Sequence, residues 1–328
     1  MDTAIITSRE IYKILTPALA NKVVEKAFRA YGSGKADMPP KSYLYFKKGD
    51  LRSMPAYLHG EGFDIAGIKS VNVHPYNTAN NIPTVMGLII LTDPDTGFPL
   101  AVLDGASLTS IRTGAAGALA VKLLSNKGAK YAGFVGSGVQ ARTQLGCIME
   151  TRKLKGIKIW KYCKENHSAE DFCIWAKEKY GLDTLISEDI NDITMNSDIV
   201  VTTTPSRNPV VEQVSPGTHI NAIGADAAGK QEISPAILKK AKLVIDDWKQ
   251  ASHSGEINVP YRKRQIRKKD IYGDLGKIAV KAKKGREKQD EMTLFDSTGL
   301  AIQDVACSYA VYKALKDDRD IQRITFFK

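Results

Sequence analysis

No stretch of this chain is apolar over the roughly 18 residues that a membrane-crossing helix needs. Its opening residues, MDTAIITSRE, carry neither the basic start nor the apolar core of a secretory leader. No membrane partner and a cytoplasmic location are therefore expected. Cysteine is scarce, and Cys147, Cys163, Cys173 and Cys307 form no Cys-x-x-Cys pair and have no histidine at zinc-ligand spacing. Reduced thiols and no metal site follow. Acidic residues are outnumbered, 36 against 47 lysines and arginines, and the surplus is concentrated in Tyr261–Lys269 and Lys277–Lys288. Aromatic residues that would stack on bases are almost missing there, so nucleic acid is not an expected partner. Those segments read as a solvated lysine-rich surface able to steer small anions.

What the chain does have is length and apolar content for two domains, with 328 residues of which 43% are hydrophobic. Lys130–Met149 is the most informative stretch. An apolar run, Tyr131 to Val135, leads into Gly136-Ser137-Gly138-Val139-Gln140-Ala141 and then into apolar residues at helical spacing. The first glycine permits a tight turn, the second lets backbone approach a ligand, and the small Ala141 lets helix pack on strand. The helix N-terminus then suits a pyrophosphate, although glycines also make plain turns.

Downstream, Ile157–Lys161, Thr184–Ile186, Asp198–Thr202, His219–Ile223 and Leu243–Asp246 read as strands, with helices at Ala169–Lys179 and Ser234–Ala241. Strands alternating with helices make a doubly wound α/β domain with a parallel sheet, and right-handed crossovers place ligands at the strands' carboxyl ends. Gly136, Lys161, Thr204 and Gly224 should gather there.

The first part differs. Ser8–Tyr31 reads as two helices, the second opened by Pro17 and stopped by Gly32 and Gly34. From Lys41 to Leu103 short alternating segments read as antiparallel strands, and an alanine-rich helix follows over about Leu108–Leu124. Together these make an α+β domain. The end of the chain, strand and turn at Leu294–Leu300 and helix at Ala301–Leu315, is too short to fold alone and is expected to rejoin that domain, which makes it discontinuous.

Several charged residues lie in apolar or turn-forming surroundings. Lys69 interrupts the strand IAGIKSVNV, Arg112 falls at the expected start of the alanine-rich helix, and Lys41 and Arg52 flank the first strands. A cation at a helix start is unfavourable unless an anion lies near. Taken together the four suggest a carboxylate-binding pocket; taken singly, each fits an ordinary salt bridge. Asp226 follows the apolar strand HINAIG, where a carboxylate can move protons at a substrate carbon or simply cap a turn.

The segments MPPK (38–41), GDLRSMPA (49–56), NIPT (81–84), SIRTGA (110–115), VTTTPS (201–206), GAD (224–226) and FDSTG (295–299) resemble the ornithine cyclodeaminase and mu-crystallin family, and within it the archaeal-type alanine dehydrogenases. The resemblance spans nearly the whole chain. It implies a Rossmann-type dinucleotide-binding domain at 123–299, inserted in a discontinuous α+β domain of 1–122 plus 300–328 that binds substrate and forms a homodimer. It also implies that Lys41, Arg52 and Lys69 hold the carboxylate of a small amino acid or keto acid, and that Lys69 and Asp226 serve catalysis. Thr84, Arg112, Thr113, Gly136, Gly138, Val139, Gln140 and Thr204 would contact the cofactor, and Ser297, Thr298 and Gly299 would close the nicotinamide pocket.

Two departures bear on the chemistry. Ornithine cyclodeaminases carry a glutamate at the position of Arg52, and an arginine there repels ornithine's distal ammonium. At the end of the second strand, where NAD-specific folds place an acidic residue, stands Lys161, with Lys164 nearby. A lysine pairs with a phosphate rather than with ribose hydroxyls, which favours NADP over NAD. The expected reaction is reversible oxidative deamination of an amino acid such as alanine. An imine or ketimine reductase, a cyclodeaminase and a non-catalytic NADPH-binding protein are the alternatives.

Overall fold

The computed structural model describes residues 2–163 and 165–327, with Thr78 described by its backbone alone. It divides into two compact units, Met1–Arg112 with Leu300–Lys328, and Thr113–Gly299.

The first unit is built on one sheet, in the order Arg323–Ile324, Thr3–Ile6, Pro99–Asp104, Val85–Thr92, Ile65–Val73, Gly49–Leu58 and Ala36–Asp37, with Ser42–Phe46 also paired to Gly49–Leu58. All pairs are antiparallel except Thr3–Ile6 on Pro99–Asp104, which is parallel. Thr3–Ile6 was not anticipated from sequence. In Ile65–Val73 buried and half-buried residues alternate, the period of a sheet covered on one side. The cover comes from Ala301–Leu315, packed on Gly49–Leu58, Ile65–Val73 and Val85–Thr92 and on the helix Pro17–Gly32. Pro17 opens that second helix as its sequence position suggested, with the Thr16 hydroxyl accepting from the Leu19 amide at 3.3 Å.

The second unit is an all-parallel sheet in the order Asp183–Ser187, Gly156–Trp160, Tyr131–Val135, Ile199–Thr202, His219–Ala222, Thr293–Asp296, Lys242–Ile245 and Gly273–Asp274. Apolar clusters pack on it, around Phe134, Leu145 and Phe172 and around Val200, Ile220 and Leu294. Thr293–Asp296 departs from the reading of local pattern, though it falls within the 123–299 bounds that the family resemblance implies. It does not go with the terminal helix but lies inside the parallel sheet, with all four of its residues buried, as strands covered on both faces are. Because the strands run parallel, Gly136, Lys161, Thr203, Ile223 and Ser297, each the first residue after its strand, share one sheet edge.

Candidate active site

At that edge the glycine turn has the geometry of a phosphate cradle. Gly136 has φ +115°, and a Cβ there would lie 2.5 Å from the Thr203 hydroxyl oxygen, so only glycine fits. Gly138 caps the helix Val139–Met149, and a Cβ there would meet nothing within 4 Å. The first backbone N–H groups of the helix therefore face open space, with the exposed Val139 and the half-buried Gln140 beside it. Ala141 is buried against the sheet. These residues fit a dinucleotide's pyrophosphate.

The remaining residues expected at this edge are held by carboxylates. The Thr204 amide donates to Glu232 Oε1 at 2.6 Å, and the Gly224 amide to Glu232 Oε2 at 2.9 Å. Asp246 accepts from the Thr298 amide at 2.6 Å and the Gly299 amide at 2.9 Å. Both carboxylates are fully buried. Between Asp296 and Thr298 the Ser297 hydroxyl is buried and has no hydrogen-bond partner among the described residues. Asp226, in the loop after His219–Ala222, pairs with Lys230 at 2.7 Å. Thr113 accepts from the Gln144 side chain at 3.0 Å through its carbonyl. Lys161 does not stand as a lone cation, because it is ion-paired with Glu170. Lys164 lies outside the described residues.

In the first unit, sheet register brings the expected cations together. Lys69 lies opposite Met54, and Arg52 opposite Val71, so Arg52 and Lys69 project from one face as diagonal neighbours. That is the face covered by Ala301–Leu315, which supplies a residue not anticipated from sequence. Asp304 is fully buried, with Oδ2 2.7 Å from Lys69 Nζ and Oδ1 2.9 Å from Arg112 Nε. Thr109 lies 3.1 Å from Lys69 Nζ, and Gln303 accepts from Arg112 at 2.8 Å. Arg52 is held by Asp50 at 2.8 Å and lies over the Tyr43 ring. Lys41 directly precedes the strand Ser42–Phe46, and Thr84 precedes Val85–Thr92, accepting from the His74 amide at 2.8 Å.

Arg112 requires a correction. Its helix starts at Gly105, so Arg112 lies about two turns in and the helix-start reasoning does not apply. Electrostatics of the cluster point to an anion instead. Lys69 is only 1% exposed, and two cations, Lys69 and Arg112, share the one carboxylate of Asp304. Burial above all, joined by the charges of Arg112 and Lys41 and opposed by the pull of Asp304, brings the Lys69 pKa down to about 7. A buried lysine poised between its two forms, whose proton alone gives the cluster its net positive charge, is suited to holding a carboxylate and exchanging a proton. Among the described residues no group of three or more His, Cys, Asp or Glu side chains could hold a metal ion.

The model of the ornithine cyclodeaminase/mu-crystallin family matches residues 1–319. The chain belongs to that family. It is similar to an alanine dehydrogenase of Archaeoglobus fulgidus, with 46% identity over 330 residues and full coverage of both chains. Among solved structures it is similar to an archaeal alanine dehydrogenase dimer with bound NAD, at TM-score 0.95 and 46% identity over all of both chains. It is also similar to the Thermococcus litoralis Δ1-pyrroline-2-carboxylate reductase in complex with NADH and L-proline, at TM-score 0.93 and 32% identity, covering 98% of this chain and all of the other.

Proposed function

We propose that this protein is a nicotinamide-dependent amino-acid dehydrogenase that converts a small L-amino acid such as alanine reversibly to its keto acid and ammonia. The buried excess of positive charge around Lys69 supports this most, in a chain similar over its full length to an alanine dehydrogenase. A nicotinamide nucleotide held at the Gly136–Gln140 turn would supply the acceptor for the hydride of the substrate's α-carbon. Arg52, Lys69 and Lys41 hold the carboxylate and fix the orientation of that carbon. With a pKa near 7, Lys69 in its neutral form takes a proton from the substrate ammonium, leaving the free amine that hydride loss requires. Hydride loss gives an iminium, and Asp226 takes a proton from the water that adds to its carbon. Asp226 then returns that proton to the nitrogen, and ammonia leaves as the added hydroxyl gives up its proton and becomes the keto acid's carbonyl.

A second reading is favoured by the likeness to the pyrroline-carboxylate reductase: the same residues serve hydride delivery to a preformed C=N bond. Arg52 speaks against cyclodeamination of a diamino acid, and a non-catalytic binding protein would not need the Lys69 cluster. For the nucleotide, NAD is favoured over NADP, since Glu170 occupies the lysine to which a 2′-phosphate would bind. Self-association is supported by the uncovered side of the first unit's sheet. Leu88 and Ile90, 56% and 39% exposed, alternate there with the buried Ile89 and Leu91. Four free thiols fit a reducing cytoplasm. Following nucleotide reduction with NAD and NADP against a panel of L-amino acids, and oxidation with keto acids plus ammonia or cyclic imines, tests the reading. Turnover of cyclic imines alone would move the assignment to the reductase.

A further inference from the structure

The second strand of a dinucleotide-binding sheet is where the adenosine ribose is read, and this chain ends that strand with a cation. Lys161 directly follows Gly156–Trp160, the neighbour of the glycine-turn strand Tyr131–Val135. The acid that such a fold needs for NAD is nevertheless close by. Glu170 sits in the first turn of the helix Ser168–Tyr180 and forms an ion pair with Lys161 through Oε1. That helix is tied to the glycine turn itself, since the Ser168 and Ser137 hydroxyls are 2.6 Å apart. The other carboxylate oxygen of Glu170, Oε2, is buried and has no hydrogen-bond partner among the described residues. A buried acceptor without a donor is costly unless something else donates to it.

We propose that Glu170 is the nucleotide selector: it neutralises Lys161, and it accepts from the ribose hydroxyls of NAD through Oε2, the oxygen that has no donor among the described residues. The inference rests on the dinucleotide reading above and adds which residue makes the choice. A 2′-phosphate arriving at Lys161 must displace Glu170 and then faces its negative charge, whereas a hydroxyl meets an acceptor. The lysine alone favours NADP; the pair favours NAD. Hydrogen bonding to Lys161 holds the Glu170 carboxyl below its ordinary pKa, so the repelling charge is present at neutral pH.

The test is equilibrium binding of NADH and of NADPH to the full-length protein, read by energy transfer from tryptophan to the reduced nicotinamide with no amino acid present. Wild type should bind NADH at least about tenfold more tightly than NADPH, a change that one charged hydrogen bond can supply. Glu170→Gln keeps the shape of the side chain and should shift that ratio toward NADPH by about tenfold or more. Lys161→Ala added to Glu170→Gln should cancel the gain, because the phosphate then has no cation. Circular dichroism confirms that each variant is folded. An unchanged ratio in Glu170→Gln, a gain that survives Lys161→Ala, or a wild type that already prefers NADPH overturns the selector. Absence of binding of either nucleotide to wild type would instead overturn the dinucleotide reading, and the selector with it.

Discussion

Replacing Asp304 by asparagine removes one negative charge from a fully buried site at almost constant volume. Its carboxylate is the shared partner of Lys69, at 2.7 Å, and of Arg112, at 2.9 Å. Removing one partner of a buried ion pair costs about 3–5 kcal/mol, because the remaining charge is left uncompensated. Here the cost should depend on pH, because Lys69 can shed its charge. Its folded pKa of about 7 lies below the ordinary 10.5, so burial destabilises it fully below about pH 7, and stability rises with pH between the two values. At about pH 6 the wild-type lysine is charged and relies on Asp304, so Asp304→Asn should cost the full ~3–5 kcal/mol. At about pH 9 the lysine is neutral in both proteins and Arg112 alone is left without its carboxylate, so the cost should fall to about 3 kcal/mol, the lower end of that range. Urea unfolding followed by circular dichroism at the two pH values, at one protein concentration, measures the difference. Equal destabilisation at both pH values, or a larger one at the higher, would refute the Lys69–Asp304 coupling.

Other substitutions separate the roles further. Asp226→Ala should lower kcat for amino-acid oxidation by about 10²-fold or more with little change in nucleotide affinity, and wild-type turnover would remove Asp226 from proton transfer. Gly136→Ala should abolish NADH binding and destabilise the fold, since the added Cβ meets the Thr203 hydroxyl at 2.5 Å and φ is +115°; unimpaired binding would mean that the turn is not the phosphate cradle. Leu88→Glu should convert a dimer to monomer in sedimentation velocity, and an unchanged sedimentation coefficient would move the interface elsewhere. In the wild type, kcat/KM for oxidation should rise through about pH 7 as Lys69 loses its proton, and Lys69→Met should erase that limb.

Local pattern made much of the fold legible. The alternation in Ile65–Val73, the proline at the start of Pro17–Gly32 and the glycine turn after Tyr131–Val135 are all signals carried within a few residues. Thr3–Ile6 escaped because its sheet neighbours, Pro99–Asp104 and Arg323–Ile324, are remote in the chain. Local pattern alone joins Thr293–Asp296 to the terminal helix, although the 123–299 bounds implied by the family resemblance contain it: its neighbours, His219–Ala222 and Lys242–Ile245, are remote in the chain, and a strand buried on both faces lacks alternation. Asp304 carried a signal that went unused. It stands among Ala301, Ile302, Val305, Ala306 and Cys307, a charge in apolar surroundings like Lys69. Glu170 carried none, since its pairing with Lys161 depends on how the intervening loop folds.

Hydride transfer from the substrate's α-carbon is the step that separates a dehydrogenase from its relatives that release ammonia without net redox change. L-alanine bearing deuterium at that carbon, incubated with the protein and its nucleotide, should yield reduced nicotinamide carrying one deuterium by mass spectrometry, together with pyruvate and ammonia in equal amounts. Ammonia released without deuterated nucleotide, or nucleotide bound while alanine is left unchanged, would contradict the account.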